Sequence, residues 1–393
     1  MSRVLDLFDG RRYKSTMYGE RSSRSLPMRD DLKSNPQSVV ANDRRRGRGA
    51  RSNRAGRFEL ETREDFDDGW ENLAELDAFK TEVRIESARS IIATNNSPDI
   101  GFDQSINPYR GCEHGCIYCY ARPTHCYLGH SAGLDFETKL YAKINAADLL
   151  ESELARPGYV PKTIALGTVT DPYQPIERQH RITRAVLEVL DRTSHPVGLI
   201  TKSALVLRDI DILSRMAARG LAKVALSITT LDRRLARAME PRAATPSKRL
   251  EAVRQLSAAG IPTQVMVAPI IPALNDCEIE SILSAAKEAG AIDAGYVLLR
   301  LPLELKDLFR EWLASEYPHR ARRVINVLRT MHGGKDYTAE FGLRQRGTGP
   351  YAEQIALRFR LALKRLGMNE RLLRLRTDLF EPPIAGSQQL RLL

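Results

Sequence analysis

From about residue 100 the chain alternates short apolar runs with longer amphipathic stretches. Ser105–Tyr109, Lys162–Val169, Pro196–Thr201, Leu221–Thr230, Ile261–Ile270 and Ala294–Leu301 read as six strands. Between the later ones lie helical patterns: Arg178–Arg192, Leu207–Gly220, Ser247–Gly260 and Asp276–Gly290. In Ser247–Gly260, Leu250, Val253 and Leu256 fall at three-residue intervals, as one face of a helix requires. Strands alternating with helices predict βαβ units and a parallel sheet. The nearly continuous apolar character of each strand fits burial on both faces. Six such units predict an α/β fold, a six-stranded partial (β/α)6 barrel; a closed barrel needs about eight.

Past residue 300 the pattern turns helical, over Leu305–Gly333 and Gly349–Gly367, with Arg344 and Arg346 in the connection. The expected organisation is an N-terminal region over 1–90, a core over 95–300 and a helical C-terminal region over 301–393. Before residue 90 there is little apolar periodicity. Arg44–Arg57 holds seven arginines and no acid, and the following stretch to Phe79 swings acidic. Such composition predicts a largely disordered arm, either a solvated tail or a phosphate-binding segment for nucleic acid. The formal net charge of +11 leans toward an anionic partner. No run reaches the roughly 18 apolar residues of a membrane span. The first residues lack the apolar core of a secretory signal, and the five cysteines are clustered rather than spread as a disulfide framework. A cytoplasmic protein with reduced thiols is the expectation.

In such folds ligands sit at the C-terminal ends of the strands. That directs attention to Cys112–Cys119, Thr168–Asp171, Thr201, Lys202, Ser227–Thr229, Pro269 and Arg300. Cys112, Cys116 and Cys119 stand in C-x3-C-x2-C spacing directly after the first predicted strand. Three thiolates on a compact loop can hold three corners of a cubane iron–sulfur cluster, leaving one iron open, where the usual sites use four cysteines. The same spacing permits a zinc site completed by His114, His125 or His130. Two rival functions follow: a zinc-stabilised nucleic-acid-binding module, and a plain [4Fe–4S] electron carrier. The carrier needs neither an open iron nor a barrel.

The stretch CEHGCIYC, with aromatic Tyr118 before the last cysteine, resembles the signature of radical S-adenosylmethionine (SAM) enzymes. SINPYRGCEHGCIYCYARPTH, LGTVTDPYQPIE and EPRAATPSKRLEAVRQLSAAGIP are similar to the spore photoproduct lyase-like, DNA repair photolyase-related branch. The resemblance covers about residues 95–300. It implies that Cys112, Cys116 and Cys119 hold a [4Fe–4S] cluster whose open iron binds SAM. It implies reductive cleavage of SAM to a 5′-deoxyadenosyl radical that abstracts hydrogen from a substrate, fed by a low-potential electron donor. Tyr118 would pack near the adenine. Lys202 would meet the SAM carboxylate, and Ser227 the ribose or carboxylate. The methionyl amine would fall to the end of the second strand, where Gly167-Thr168-Val169 replaces the family's Gly-Gly-Glu. Spore photoproduct lyases carry a hydrogen-donating cysteine on this strand; aligned on Asp171, Thr168 takes its place. Cys126 and Cys277 are the remaining thiols.

Overall fold

The computed structural model describes residues 39–59, 77–370 and 373–383. Its strands are β1 Glu82–Glu86, β2 Ile92–Thr94, β3 Gln104–Ile106, β4 Tyr109–Arg110, β5 Lys139–Lys143, β6 Ile164–Leu166, β7 Val197–Thr201, β8 Ala222–Ser227, β9 Thr263–Ile270 and β10 Asp293–Leu298. The larger sheet runs β10-β9-β8-β7-β6-β3-β2. Neighbours from β3 to β10 pair in parallel, and β2 is an antiparallel edge on β3. Each of the six predicted apolar runs supplies one parallel strand. Their side chains, among them Ile106, Ile164, Leu166, Leu199, Val224 and Val265, are buried beneath helices Ile182–Arg192, Ile210–Ala218, Pro246–Ala258 and Ile279–Glu288. In β7, β9 and β10 buried positions alternate with half-buried ones, so neither face is left to solvent and the strands read as apolar runs rather than polar alternations.

A second sheet, β1-β5-β4, was not foreseen. Strand β1, Glu-Val-Arg-Ile-Glu, is half exposed and carries charge at alternate positions, so it lacks the apolar run of a buried strand. The C-terminal helices are Leu305–Glu316, Pro318–Met331 and Gly349–Leu366. The predicted stretch over residues 305–333 breaks at Tyr317–Pro318, where proline cannot donate the helical N–H. The connection after Met331 turns inward. Leu298 N donates to Gln345 O at 2.9 Å, Arg344 binds Asp99 and Ser97, and Arg346 lies 4.3 Å over the Tyr296 ring.

The expectation of a largely disordered region through about residue 90 fails for the described residues 39–59 and 77–90. Ala50 and Ser52 are fully buried. Arg51, Arg54 and Arg57 meet Glu316, Glu311 and Glu304 on or beside the helix Leu305–Glu316. Arg48 donates to Glu137 O at 3.0 Å and to Phe79 O at 3.1 Å. The segment is ordered because its arginines find acids and carbonyls far away in sequence, while its glycines, alanine and serine let the backbone sink into the fold. Residues 1–38 and 60–76 lie outside the described residues.

Candidate cofactor site

Strand β4 delivers the chain into Gly111 and Cys112, at the C-terminal edge of the parallel sheet. Backbone bonds close the cysteine loop upon itself: Gly115 N to Cys112 O at 3.4 Å, Cys119 N to Cys116 O at 3.2 Å and Arg122 N to Cys119 O at 3.1 Å. The buried Arg122 then clamps the loop from beneath. Its Nε donates to Cys116 O at 2.9 Å and its Nη2 to Gly115 O at 3.1 Å. The same Nη2 meets Glu137 Oε1 at 2.5 Å. Glu137 also accepts Gly49 N and Ala50 N, each at 2.8 Å. The arm thus lies against the cysteine loop so closely that a Cβ at Gly49 would stand 1.8 Å from Gly115 O. Only glycine fits there.

Cys112 and Cys116 are buried and Cys119 is half-buried. Burial pushes the Cys112 thiol well up, and the nearby Asp171, Cys116 and Cys119 add to it, against a hydrogen bond from the Asp171 backbone. Burial likewise pushes Cys116 up to about 12, with the Lys202 ammonium opposing. Thiols such as Cys112 and Cys116 in so dry a place favour the neutral form unless a metal centre takes the negative charge. Among the described residues no three His, Cys, Asp or Glu side chains come close enough to share a single metal ion. Of the histidines, His114 and His130 have polar partners, while the buried His125 Nε2 has none among the described residues. His114 Nδ1 lies 3.3 Å from Asp171 Oδ2, His130 Nε2 pairs with Tyr141 at 2.7 Å, and the His125 ring packs against Phe136. The donor set, three soft thiols on one compact loop, fits an iron–sulfur cubane.

The strand ends bring the predicted residues around this loop. Gly167, after β6, has φ +89°, and a Cβ there would lie 2.2 Å from Ile200 O, so its place is dictated by close backbone approach. The Thr168 side chain bonds Asn107 at 3.2 Å, and its carbonyl accepts the Tyr120 hydroxyl. Tyr120 in turn lies 4.9 Å beneath the Arg300 guanidinium. Lys202, after β7, places its ammonium 5.8 Å from the centre of the Tyr118 ring. Burial alone would lower that ammonium's pKa, but Cys116 and Glu240 outweigh it and hold it raised. Ser227, at the end of β8, is buried, and its carbonyl accepts Arg249 Nη1 at 2.9 Å.

Two carboxylates that sequence reasoning did not assign organise these groups. Glu240 accepts hydrogen bonds from Tyr118, Thr229 and Arg249. Despite burial, Arg249 and Lys202 hold its carboxyl down to about 2. Asp171 accepts Thr201 Oγ1 at 2.7 Å and Lys202 N at 2.8 Å. Against its burial, His114 and these donors hold it down to about 2. Both are charged at neutral pH, and together they fix the Tyr118 ring and the start of the Lys202 segment. The available signal for Glu240 was a lone acid before Pro241 with Arg249 in the next helix. It carries no meaning until the fold brings Tyr118 to it.

The fold and the thiol loop together define a parallel α/β protein with a three-cysteine loop at the strand ends. The family model of the radical SAM superfamily matches residues 106–286. An uncharacterised protein of Mycobacterium bovis is 36% identical over 236 residues, covering 60% of this chain and 69% of that one. An uncharacterised protein of Methanocaldococcus jannaschii is 29% identical over 221 residues, covering 56% of this chain and 79% of that one. Among solved structures, spore photoproduct lyase complexed with dinucleoside spore photoproduct matches with a TM-score of 0.52 at 15% identity. The match covers 73% of this chain and 80% of that one, a likeness of fold. The chain belongs to the radical SAM superfamily, whose cofactors are a [4Fe–4S] cluster and S-adenosylmethionine.

Proposed function

We propose that this protein is a radical SAM enzyme in which Cys112, Cys116 and Cys119 hold a [4Fe–4S] cluster at the mouth of a six-stranded partial barrel. The observation that carries the reading is the three-cysteine loop, two of its thiols buried, with the Lys202 ammonium 5.8 Å from the centre of the Tyr118 ring at the strand ends. The cluster and SAM, held by these residues, would supply the radical chemistry that abstracts hydrogen from a substrate. This chain's residues bind and orient. Lys202 takes the SAM carboxylate, and Tyr118, locked by Glu240, flanks the adenine. Ser227 would serve the ribose or the carboxylate, and the Gly167–Thr168 strand end the methionyl amine. Burial of the thiols keeps water from the centre. A low-potential electron donor is the partner the chemistry needs. Of the arm's arginines, Arg51, Arg54 and Arg57 pair with Glu316, Glu311 and Glu304, and Arg48 with backbone carbonyls. Among the described residues no helix is long and apolar enough to cross a membrane.

The test is anaerobic purification, iron and sulfide analysis, and incubation with SAM and dithionite. The expected outcome is a brown protein with about four irons per chain that forms 5′-deoxyadenosine, and a Cys116→Ala form that does neither. A colourless chain with one zinc would sink the reading.

A further inference from the structure

Behind the cysteine loop, on the side formed by the arm, lies a cavity of about 220 Å³. Arg45, Arg48, Arg51 and Arg237 line it, with Trp312 and a single carboxylate, Glu316. Glu316 is taken by Arg51, and Arg237 has no partner among the described residues. Four guanidiniums against one carboxylate leave a surplus of three positive charges. Arg45 donates to the Val40 carbonyl and to Asn42, and Arg48 to the Glu137 and Phe79 carbonyls and to Thr81, so neither guanidinium is paired with the carboxylate of the lining. The cavity calls for negative charge from outside.

Its position gives the charge a purpose. Gly49, in its lining, rests directly on Gly115, the residue before Cys116. The wall around Ala238 and Pro241 is tied to the cysteine loop by Ile117 N to Met239 O at 3.0 Å and by Arg242 N to His114 O at 3.3 Å. Trp312 Nε1 donates to Ala238 O at 3.0 Å and holds that wall in place. One layer of backbone therefore separates the cavity from the thiol loop. None of the lining residues belongs to the strand ends where Thr168, Lys202 and Ser227 stand.

We propose that this arginine-lined cavity is the docking surface for a small acidic redox protein that delivers the electron the enzyme needs, which rests on the cofactor reading above. The carrier's flavin or iron–sulfur group loses one electron and the centre held by Cys112, Cys116 and Cys119 gains it; no bond or proton has to move. The cavity admits acidic side chains rather than a whole fold, so the carrier lays an acidic patch against it. Opposite charge steers such an encounter and makes it sensitive to salt. A nucleic-acid substrate is disfavoured as occupant, because its reacting atoms must reach the strand ends.

The test compares wild type, Arg237→Glu and Arg45→Glu, each loaded with iron, using reduced flavodoxin as the protein reductant and dithionite as a small one. Reduction is followed anaerobically by loss of visible absorbance, and binding of oxidised flavodoxin by calorimetry. Expected are at least tenfold slower reduction by flavodoxin and at least tenfold weaker binding in both variants. Dithionite rates should be unchanged, and the wild-type flavodoxin rate should fall as salt rises. Arg237→Gln, which removes charge at an exposed site without reversing it, should fall between. Unchanged flavodoxin rates and binding overturn the proposal, and so does an equal slowing with both reductants. Loss of single-stranded DNA affinity with flavodoxin reduction intact assigns the surface to nucleic acid and overturns it too. A wild type that holds no iron sinks the cofactor reading itself, and this proposal falls with it.

Discussion

Arg122 and Glu137, fifteen residues apart in sequence, form an ion pair at 2.5 Å with both side chains fully buried. Arg122 carries the cysteine loop on its other donors, and Glu137 carries the arm on its other lone pairs. The pair therefore joins the cofactor loop to a segment from the far N-terminal side. Removing one partner of a buried pair leaves an uncompensated charge and costs about 3–5 kcal/mol. Glu137→Ala should show that loss in denaturant unfolding and a lower iron content after anaerobic purification. Glu137→Gln, which keeps an acceptor, should be milder. Equal stability of Glu137→Ala and wild type would show that the pair does not hold the loop.

The arm should be structural. Gly49→Ala places a methyl group where Gly115 O stands, and overpacking of this kind costs about 1–3 kcal/mol. The expected result is a lower melting temperature together with faster bleaching of the iron centre in air. Deleting residues 1–59 should do more damage to iron retention than Gly49→Ala. A truncated protein that holds iron as firmly as the full chain would contradict the anchoring seen here.

Lys202→Met keeps the stem of the side chain and removes its ammonium. Hydrogen bonds to charged groups contribute about 1.5–3 kcal/mol, so SAM affinity should fall roughly 10- to 100-fold. Calorimetry on the iron-loaded protein checks this, and an unchanged affinity would place the SAM carboxylate elsewhere.

Thr168 stands where spore photoproduct lyases keep a cysteine, in the alignment on Asp171. A threonine O–H bond is too strong to return a hydrogen atom to a carbon radical readily. The wild type should cleave SAM yet repair spore photoproduct poorly, with abortive products accumulating, and Thr168→Cys should improve the yield. Product analysis by chromatography decides it. Efficient wild-type repair would point to another thiol. If neither form acts on the lesion, the substrate lies elsewhere.

His195 supplies a pH signature away from the thiols. Its ring is fully buried against Tyr159 and Phe380, and burial lowers its pKa to about 4, only partly opposed by the Pro196 carbonyl. The folded pKa lies below the unfolded value of about 6.5, so the neutral form is the one the fold keeps. This contribution is complete above about pH 6.5 and is lost as the pH falls toward 4, amounting to about 3 kcal/mol. Denaturant unfolding at pH 7 and pH 4.5 should show the loss, and His195→Gln should shrink the difference between the two. An undiminished difference in that variant would assign the acid sensitivity to other groups.

Much of this protein is written in short range. The six parallel strands follow from apolar runs of five to ten residues between helical patterns, and the withdrawal of both faces from solvent leaves that mark in any context. The thiol triad is equally local, because three ligands on one loop need only spacing and flexible glycines. The strand-end positions of Thr168, Lys202 and Ser227 followed from the rule that such folds bind at the C-terminal edge. Tertiary structure alone decided the rest. Gly49 reaches Glu137 across 88 positions, and Tyr118 reaches Glu240 across 122. An arginine-rich segment reads as solvated when the acids that would pair with it cannot be placed. The half-exposed charged strand β1 gains its order from β5, more than fifty residues away. Such pairings carry no periodicity, and their free energy appears only once the chain has closed upon itself.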